Sequence, residues 1–482
     1  MINIFEDMGW KGISLILCTF GFFKEFRPSE PFITDYLTGS WKNFTRSEVN
    51  QEIFPVSTYA YFAMLILVFL ITDFLRYKPV IVLCGLSGTA TYCLIILSKT
   101  VLEMQIVEVL YGFFLSSEVA YYTYVYAKVD KKHYQEVTGH TRAAFLLGRC
   151  AAGLVAQLTT SFNLLDYHHL NFITLSALIF ASFWAFFLPS VKESIYFHRP
   201  VGNRNDSTTF SINDSCESSV TQSPISESSL YLQNNTNNQK RSSFTLKLRR
   251  AYFLLWKDFL KAYSNVHVVK WSLWWAFATC GYLQVINYIQ LLWQEIVQKD
   301  QNIFNGGVEA AYTIIGAITV FGVGKLRLNW DLVGEATLSI FSFIEGILLL
   351  LAARTGNIWL SYAVYVTFGV IYHTIVTVAS FEVAKRLSED SYSLIFGLNT
   401  LLALLLQTIL TSAVVSEYTF GPSIRSQFIV YSTYFLALGI IFNIMAVYTI
   451  LRYCRSGKDI KFWLNETEVL SPTQYESGTR AS

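Results

Sequence analysis

Several stretches of this 482-residue chain place ionisable or amide side chains inside apolar sequence, where such groups are costly and mark binding sites or ion pathways. The stretch "EMQIVEVLYGFFLSSEVAYYTYVYA" carries Glu108 and Glu118. At 100° per residue, Glu108, Tyr111, Glu118 and Tyr122 share one broad face of a helix. The two carboxylates then lie about 15 Å apart along its axis. Carboxylates hold cations, and tyrosine rings attract cations and stack on flat heterocycles. The combination suits an aromatic, positively charged organic solute. The plainer alternative is that the acids pair with basic residues for structure. Arg149, in the next apolar run, would either neutralise one of those acids or bind an anionic group. "WSLWWAFATCGYLQVINYIQLLW" carries Gln284, Asn287 and Gln290. Gln284 and Asn287 are three residues apart and share a face. Buried amides either tie helices together or meet a ligand, and helix contact is the favoured expectation. Trp271, Trp274 and Trp275 read as packing or interfacial anchors. Glu382, beside Lys385 and Arg386, reads as a solvated cap, Glu345 is left open, and a lone histidine such as His373 is more often structural. Lastly, "RPSEPF" sets Glu30 between two prolines just past the first apolar run.

The elements that must position these groups are helices in a bilayer. The chain is 53% hydrophobic, 16% aromatic and only 15% charged, with a mean hydropathy of +0.39, whereas soluble domains run near a quarter charged. That composition predicts a multi-spanning membrane protein. A net charge of +2 gives no argument for a nucleic-acid partner. Seven cysteines scattered over apolar runs and polar segments form no disulfide framework, and no signal peptide is evident. Long apolar runs without alternation predict twelve spans: 9–26, 54–75, 79–98, 103–127, 141–163, 168–188, 270–294, 308–326, 331–353, 358–383, 391–416 and 427–451.

The region 191–265 contains a Ser/Asn/Thr-rich segment too polar to fold, then "KLRRAYFLLWKDFLKAYSN", whose basic and apolar residues alternate at helical spacing as in a helix lying on the membrane. The domain organisation expected is therefore an N-terminal six-helix bundle (1–190), this cytoplasmic linker, a C-terminal six-helix bundle (266–453) and a cytoplasmic tail (454–482). Two six-helix halves joined by a disordered spacer is the layout of the major facilitator superfamily, with substrate sites at the midplane between the halves. Lys and Arg concentrate in alternate loops, among them Arg76, Lys78, Lys128, Lys131, Lys132, Lys325 and Arg327, which predicts that both termini are cytoplasmic. The sequon at Asn43 then falls outside, in a loop where a glycan can be attached. Those at Asn205, Asn213, Asn234 and Asn465 fall inside and read as chance matches.

The strings "RPSEPF", "EIFPVSTYAY", "TDFLRYKPV", "MQIVEVLYG", "EVAYYTYVYA", "WSLWWAFAT", "NWDLVGE" and "FGLNTLLALLLQTI" together resemble the reduced folate carrier and thiamine transporter family, solute carrier family nineteen. The resemblance runs from about Cys18 to Leu451, omitting the central loop. It implies a twelve-helix facilitator fold, a plasma-membrane location and vitamin uptake by alternating access. Within that family the resemblance separates folate from thiamine types by charge. Folate-type members carry an arginine where this chain has Glu118, a lysine at Gln407 and an arginine at Gly369, while Asn287 matches the thiamine type. It further implies that Glu108 meets the aminopyrimidine of thiamine, that Tyr111 stacks on the ring, and that Glu30 and Asn287 hold polar ends. The chain departs from the thiamine pattern at Ser57, where a tryptophan is expected, and at Arg149, where a tyrosine is expected.

The expected function is thus uptake of a vitamin, thiamine first and reduced folate or another organic anion as the alternative. The candidate substrate-binding residues are Glu30, Glu108, Tyr111, Glu118, Asn287, Gln284 and Arg149. The expected partners are that small molecule and the lipid bilayer, with homo-oligomerisation left open. No cofactor or metal is expected. An enzyme or a receptor is the other function class. Against an enzyme, the sequence offers no metal-ligand cluster, Ser/His/Asp spacing or phosphate loop.

Overall fold

A computed structural model describes residues 9–129, 133–191, 253, 256–297, 303–323, 328–387, 392–415 and 423–455. The first helix, α1, runs Trp10–Glu25. It stops short of Pro28 and Pro31, neither of which can donate a backbone hydrogen bond. The chain continues as a 3₁₀ turn, Glu30–Phe32, and a short helix α2, Ile33–Thr38. A π-turn, Glu48–Ile53, leads without a break into α3, Phe54–Thr72, with Pro55 at the junction. Helix α4 spans Lys78–Leu97 and α5 spans Val101–Ser116. A capping box starts α5: Thr100 Oγ1 accepts from the Glu103 N–H at 3.3 Å, and the Glu103 carboxylate accepts from the Thr100 N–H at 3.0 Å.

The expected single span 103–127 is two helices. After Ser117 the chain resumes as α6, Glu118–Lys128. Ser116 and Ser117 both donate to the Phe113 carbonyl, at 2.9 and 2.8 Å, and this competition for one acceptor accompanies the break in the helical ladder. Then follow α7, Tyr134–Ser161, and α8, Tyr167–Ala185, the latter capped by the Asp166 carboxylate. The second series is α9 (Val266–Ile296), α10 (Asn305–Val323), α11 (Trp330–Arg354), α12 (Ile358–Ala384), α13 (Tyr392–Val414) and α14 (Ile424–Arg455). Every expected span overlies a helix. The largest difference is span five, expected from 141 and observed from Tyr134. Seven helical stretches among the described residues are long and apolar enough to cross a membrane. α1 and α5, at 16 residues each, fall short because the chain breaks after Glu25 and Ser116. Exposed Leu15, Leu158, Phe321 and Ile444 give the outer faces an apolar surface suited to lipid and not to water. The chain is a multi-pass membrane protein.

The helices pack as two groups. In the first, α1 lies on α7 and α8, α4 on α5 and α8, and α3 on α5. In the second, α9 lies on α12, α13 and α14, α11 on α14 and α12, and α10 on α12. The groups meet along α7 with α10 and α3 with α13. At the first of these seams Gly153 and Gly306 face one another so closely that a Cβ on Gly153 would sit 2.6 Å from the Gly306 carbonyl oxygen. Residues 256–263 form a helix with Trp256 and Leu260 exposed on its apolar side. Tyr263 Oη donates to Asn399 Oδ1 at 2.7 Å and ties this helix to α13. The rest of the expected linker, most of the tail, and the sequons at Asn205, Asn213, Asn234 and Asn465 lie outside the described residues. The six described cysteines are free.

Candidate substrate cavity

The break after α1 brings residues 24–30 back toward the interior. Lys24, Glu25 and Arg27 are each no more than 5% exposed. Ions this deep need partners, and they find one another. Lys24 Nζ is 2.8 Å from Glu25 Oε1 and 3.4 Å from Glu118 Oε1. Arg27 is 3.0 Å from Glu25 Oε2 and 2.8 Å from Glu30 Oε1. Tyr111 Oη donates to Glu30 Oε1 at 2.8 Å and accepts from Arg27 Nη1 at 3.2 Å. Lys24 also lies over the Phe114 ring, 5.0 Å from its centroid.

This network borders a cavity of about 340 Å³ between the two helix groups. The first group contributes Glu25, Arg27, Glu30, Ser57, Tyr111, Glu118 and Arg149 to its lining. The second contributes Tyr282, Asn287, Gln290, Glu309, Tyr365, His373 and Gln407. A smaller cavity of about 120 Å³ adjoins it and contains Glu108 with Thr91, Tyr92 and Phe54. The two share Glu30, Ser57, Tyr111, Asn287 and Gln290 in their walls, so these residues stand between neighbouring cavities. Glu108 and Ser57 line the same smaller cavity, and the Ser57 hydroxyl donates to the Phe54 carbonyl at 3.0 Å. No Lys, Arg or His among the described residues comes within ion-pair distance of the Glu108 carboxylate.

Six of the seven expected binding residues therefore line these two cavities: Glu30, Glu108, Tyr111, Glu118, Asn287 and Arg149. Gln284 does not. It is fully buried, and its Nε2 donates to Thr411 Oγ1 of α13 at 2.8 Å, the helix contact that was the favoured expectation. As a binding residue it is corrected: on the tightly packed α9 its side chain faces α13, one step round the helix from Asn287. Tyr122 packs edge-on against Tyr121, with ring centroids 5.2 Å apart, and lines neither cavity. The expectation that Arg149 neutralises an acid of span four is also corrected. Its nearest carboxylate is Glu25, at 4.0 Å, and the cation beside Glu118 is Lys24. Glu382 is buried at 1% exposure and lies 3.2 Å from His267 Nε2, so it is not a solvated cap. Trp274 is packing, fully buried with its Nε1 on Ser342 Oγ at 3.0 Å. Asn43 is exposed in a loop.

Sequence reasoning missed Glu25, Arg27 and Glu309. Glu309 follows Gly306 and Gly307 at the start of an apolar run, and as the sole charge in "GGVEAAYT" it carried a readable signal. Its carboxylate accepts from Tyr365 Oη at 2.6 Å.

One end of the cavity is closed by the segment after the break. Gln290 of α9 grips that segment at two backbone points: its Oε1 accepts from the Thr34 N–H at 3.2 Å and its Nε2 donates to the Glu30 carbonyl at 2.9 Å. One turn on, Gln294 donates to Asp35 and Thr38 at 2.7 and 2.9 Å. Asn305 of α10 donates to the Pro31 carbonyl at 3.1 Å. A helix interrupted by prolines leaves backbone groups without intrahelical partners, and amides of the opposite helix group satisfy them.

Position 369, where an anion-binding arginine is the folate-type expectation, is closed. A Cβ on Gly369 would sit 2.3 Å from the Tyr312 ring. Gln407 faces the cavity as an uncharged amide.

The profile of the reduced folate carrier family matches residues 8–430. Thiamine transporter 2 of Homo sapiens is 40% identical over 465 residues, covering 94% of this chain and 93% of that protein. Thiamine transporter 1 of Homo sapiens is 39% identical, covering 93% and 92%. The reduced folate transporter of Homo sapiens is 34% identical, covering 94% and 75%. Among solved structures, the POT family transporter PepTSo superposes with a TM-score of 0.65 at 10% identity, covering 92% of this chain and 99% of that one. That likeness establishes the all-helical major facilitator fold. With the sequence matched along nearly its whole length, the chain belongs to the reduced folate carrier family.

Proposed function

We propose that the protein takes up thiamine, an organic cation, across the plasma membrane by alternating access between its two helix groups. The observation that carries this reading is the charge of the two adjoining cavities. Glu25, Glu30, Glu108, Glu118 and Glu309 face them, against Arg27, Arg149 and the buried Lys24. Carboxylates in excess favour a cation, and Tyr111 and Tyr365 add ring surfaces for a flat heterocycle. Glu108 is the acid free to meet the aminopyrimidine, with Tyr111 against the ring, Glu30 and Asn287 at polar ends and Glu118 adding negative potential. The names of the two thiamine transporters matched above support the same solute. Reduced folate is the lesser reading, since Gln407 brings no cation and the space at Gly369 is filled by Tyr312.

The transport cycle is read from the hydrogen bonds at one end. Gln290, Gln294 and Asn305 join the groups there, and solute entry from that side requires these bonds to break. Loop charges support an outward-facing position for this end and cytoplasmic termini, and we propose six-helix bundles over 1–190 and 266–453 and a glycan on Asn43. Uptake of radiolabelled thiamine and folate into cells expressing the protein tests the proposal. Thiamine is expected to accumulate and folate not to compete with it. Folate uptake without thiamine uptake overturns the reading.

A further inference from the structure

Arg149 is the cation of the cavity wall with hydrogen-bonding capacity to spare. It lies on α7 and borders the larger cavity. Its side chain is 25% exposed, against 2% for Lys24 and 5% for Arg27, so its head is open to that space. The guanidinium carries five N–H donors in a planar fork. None of them makes a hydrogen bond among the described residues, and the carboxylate within ion-pair reach is Glu25, at 4.0 Å. That contact is loose because Lys24 and Arg27 already hold Glu25 at 2.8 and 3.0 Å. The other acids of the lining are also engaged. Glu118 has Lys24 at 3.4 Å, Glu30 has Arg27 at 2.8 Å, and Glu309 accepts from Tyr365 Oη at 2.6 Å. The Tyr282 hydroxyl bonds Tyr312 and His373.

An arginine fork open to a cavity in this way suits an anion, because carboxylate or phosphate oxygens accept two parallel bonds from it. Its position relative to the cation end says what else the ligand must carry. Glu108 lies in the smaller cavity and Arg149 in the larger, while Glu30, Tyr111 and Asn287 border both. A solute with its aminopyrimidine on Glu108 and its ring at Tyr111 has its far end on the side of the larger cavity. In thiamine that far end is a hydroxyethyl group, the position at which the molecule forms a phosphate ester.

We infer that the site takes an organic cation with an anionic tail, thiamine monophosphate in preference to thiamine, and that Arg149 holds the phosphate. The inference rests on the thiamine reading above and adds an anion end to it. The acids select for a cation, and Arg149 selects among cations the one that carries a phosphate.

Equilibrium dialysis of the purified full-length protein against radiolabelled thiamine and radiolabelled thiamine monophosphate tests this. Wild type is expected to bind the monophosphate about tenfold more tightly than thiamine. Arg149→Tyr introduces the residue expected of thiamine-type members and is expected to reverse that order. The monophosphate weakens by about thirtyfold, and thiamine strengthens by about twofold as a like charge leaves its surroundings. Arg149→Lys keeps the charge and loses the fork, so its preference is expected to fall between the two. Arg149→Gln replaces Arg149→Tyr if the latter does not purify as a monodisperse protein. A parallel fall of both affinities in Arg149→Tyr would make Arg149 a balancing charge for Glu25 and overturn the inference. So would a monophosphate preference that survives the substitution. Thiamine binding by wild type without a preference for the monophosphate overturns the anion end alone, whereas failure to bind either molecule overturns the thiamine reading with it.

Discussion

The two walls of the cavity are built from different chemistry. On the first helix group, Lys24, Glu25, Arg27, Glu30 and Glu118 form one chain of ion pairs spaced 2.8 to 3.4 Å apart. On the second, amides and phenols dominate: Asn287, Gln290, Gln407, Tyr282 and Tyr365, with Glu309 as the carboxylate among them. The wall with more charge is not thereby the wall with more to offer a solute. Buried ions are tolerated when they neutralise each other, and in the first group most of the charge is already committed in this way. The acid with capacity to spare there is Glu108, which stands apart from the chain in the smaller cavity. Charge density on this wall therefore reports architecture, and recognition falls to the groups at its margin and on the wall opposite.

That contrast is most sharply broken at its centre. Glu25→Gln leaves Lys24 and Arg27 short of a counter-charge in a site almost closed to water. Breaking a buried ion pair in this way costs about 3–5 kcal/mol. The expected outcome is a large fall in thermal stability and folded yield in detergent. Normal stability with lost thiamine binding would instead make Glu25 a solute ligand and dissolve the distinction between the walls' inner charges and their margins.

Glu108→Gln is expected to do the reverse. Removing a charge that no protein cation uses leaves the fold intact, while a solute cation loses its partner. About 2 kcal/mol is expected from a desolvated charge contact, or about thirtyfold in thiamine affinity. Binding measured beside thermal unfolding on the same preparation checks both halves of the statement. Unchanged affinity would remove Glu108 from the site.

How far such assignments can be read from sequence depends on what burial does to a residue's surroundings. Glu108 and Glu118 were legible because a carboxylate deep within an apolar run is too costly to stand there without a partner or a ligand. Glu30 was legible only as a question, since a carboxylate between prolines suits a loop as well as a cavity. Lys24, Glu25 and Arg27 read as boundary charges. In sequence, a charged end of a span looks the same whether it faces water or, as here, folds inward after a break at two prolines. The division of span four after Ser116 left no proline or glycine to announce it. It lies where two adjacent serine hydroxyls converge on one carbonyl, a detail of side-chain rotamers. The number and order of spans depend on apolar length, which the sequence displays directly. Which amide on a shared face meets the cavity depends on the rotation of α9 against its neighbours, which it does not.

The amide wall is expected to respond more mildly than the charged one. Gln290→Leu removes two hydrogen bonds to the backbone of the broken segment, each worth about 1 kcal/mol. The closed end then opens more readily. A cysteine introduced as Ser57→Cys in this background is expected to react faster with a membrane-impermeant thiol reagent added outside, with thiamine uptake reduced by about tenfold. No change in labelling would mean that Gln290 does not hold this end shut.

The smallest effect is expected one step round the same helix, and it sharpens the comparison most finely. Gln284 and Asn287 share chemistry and a face of α9, yet one bonds Thr411 within the packed second group and the other borders the cavity. Gln284→Leu keeps the volume and loses one hydrogen bond, so a stability loss of about 1 kcal/mol is expected, with thiamine affinity unchanged. Asn287→Ala is expected to leave stability unchanged and weaken thiamine binding by about fivefold, the worth of one hydrogen bond to a solute. Measuring both quantities for both variants separates packing from recognition at neighbouring positions. If the two variants lose the same quantity, α9 is rotated from the register described and the second wall presents different groups to the cavity.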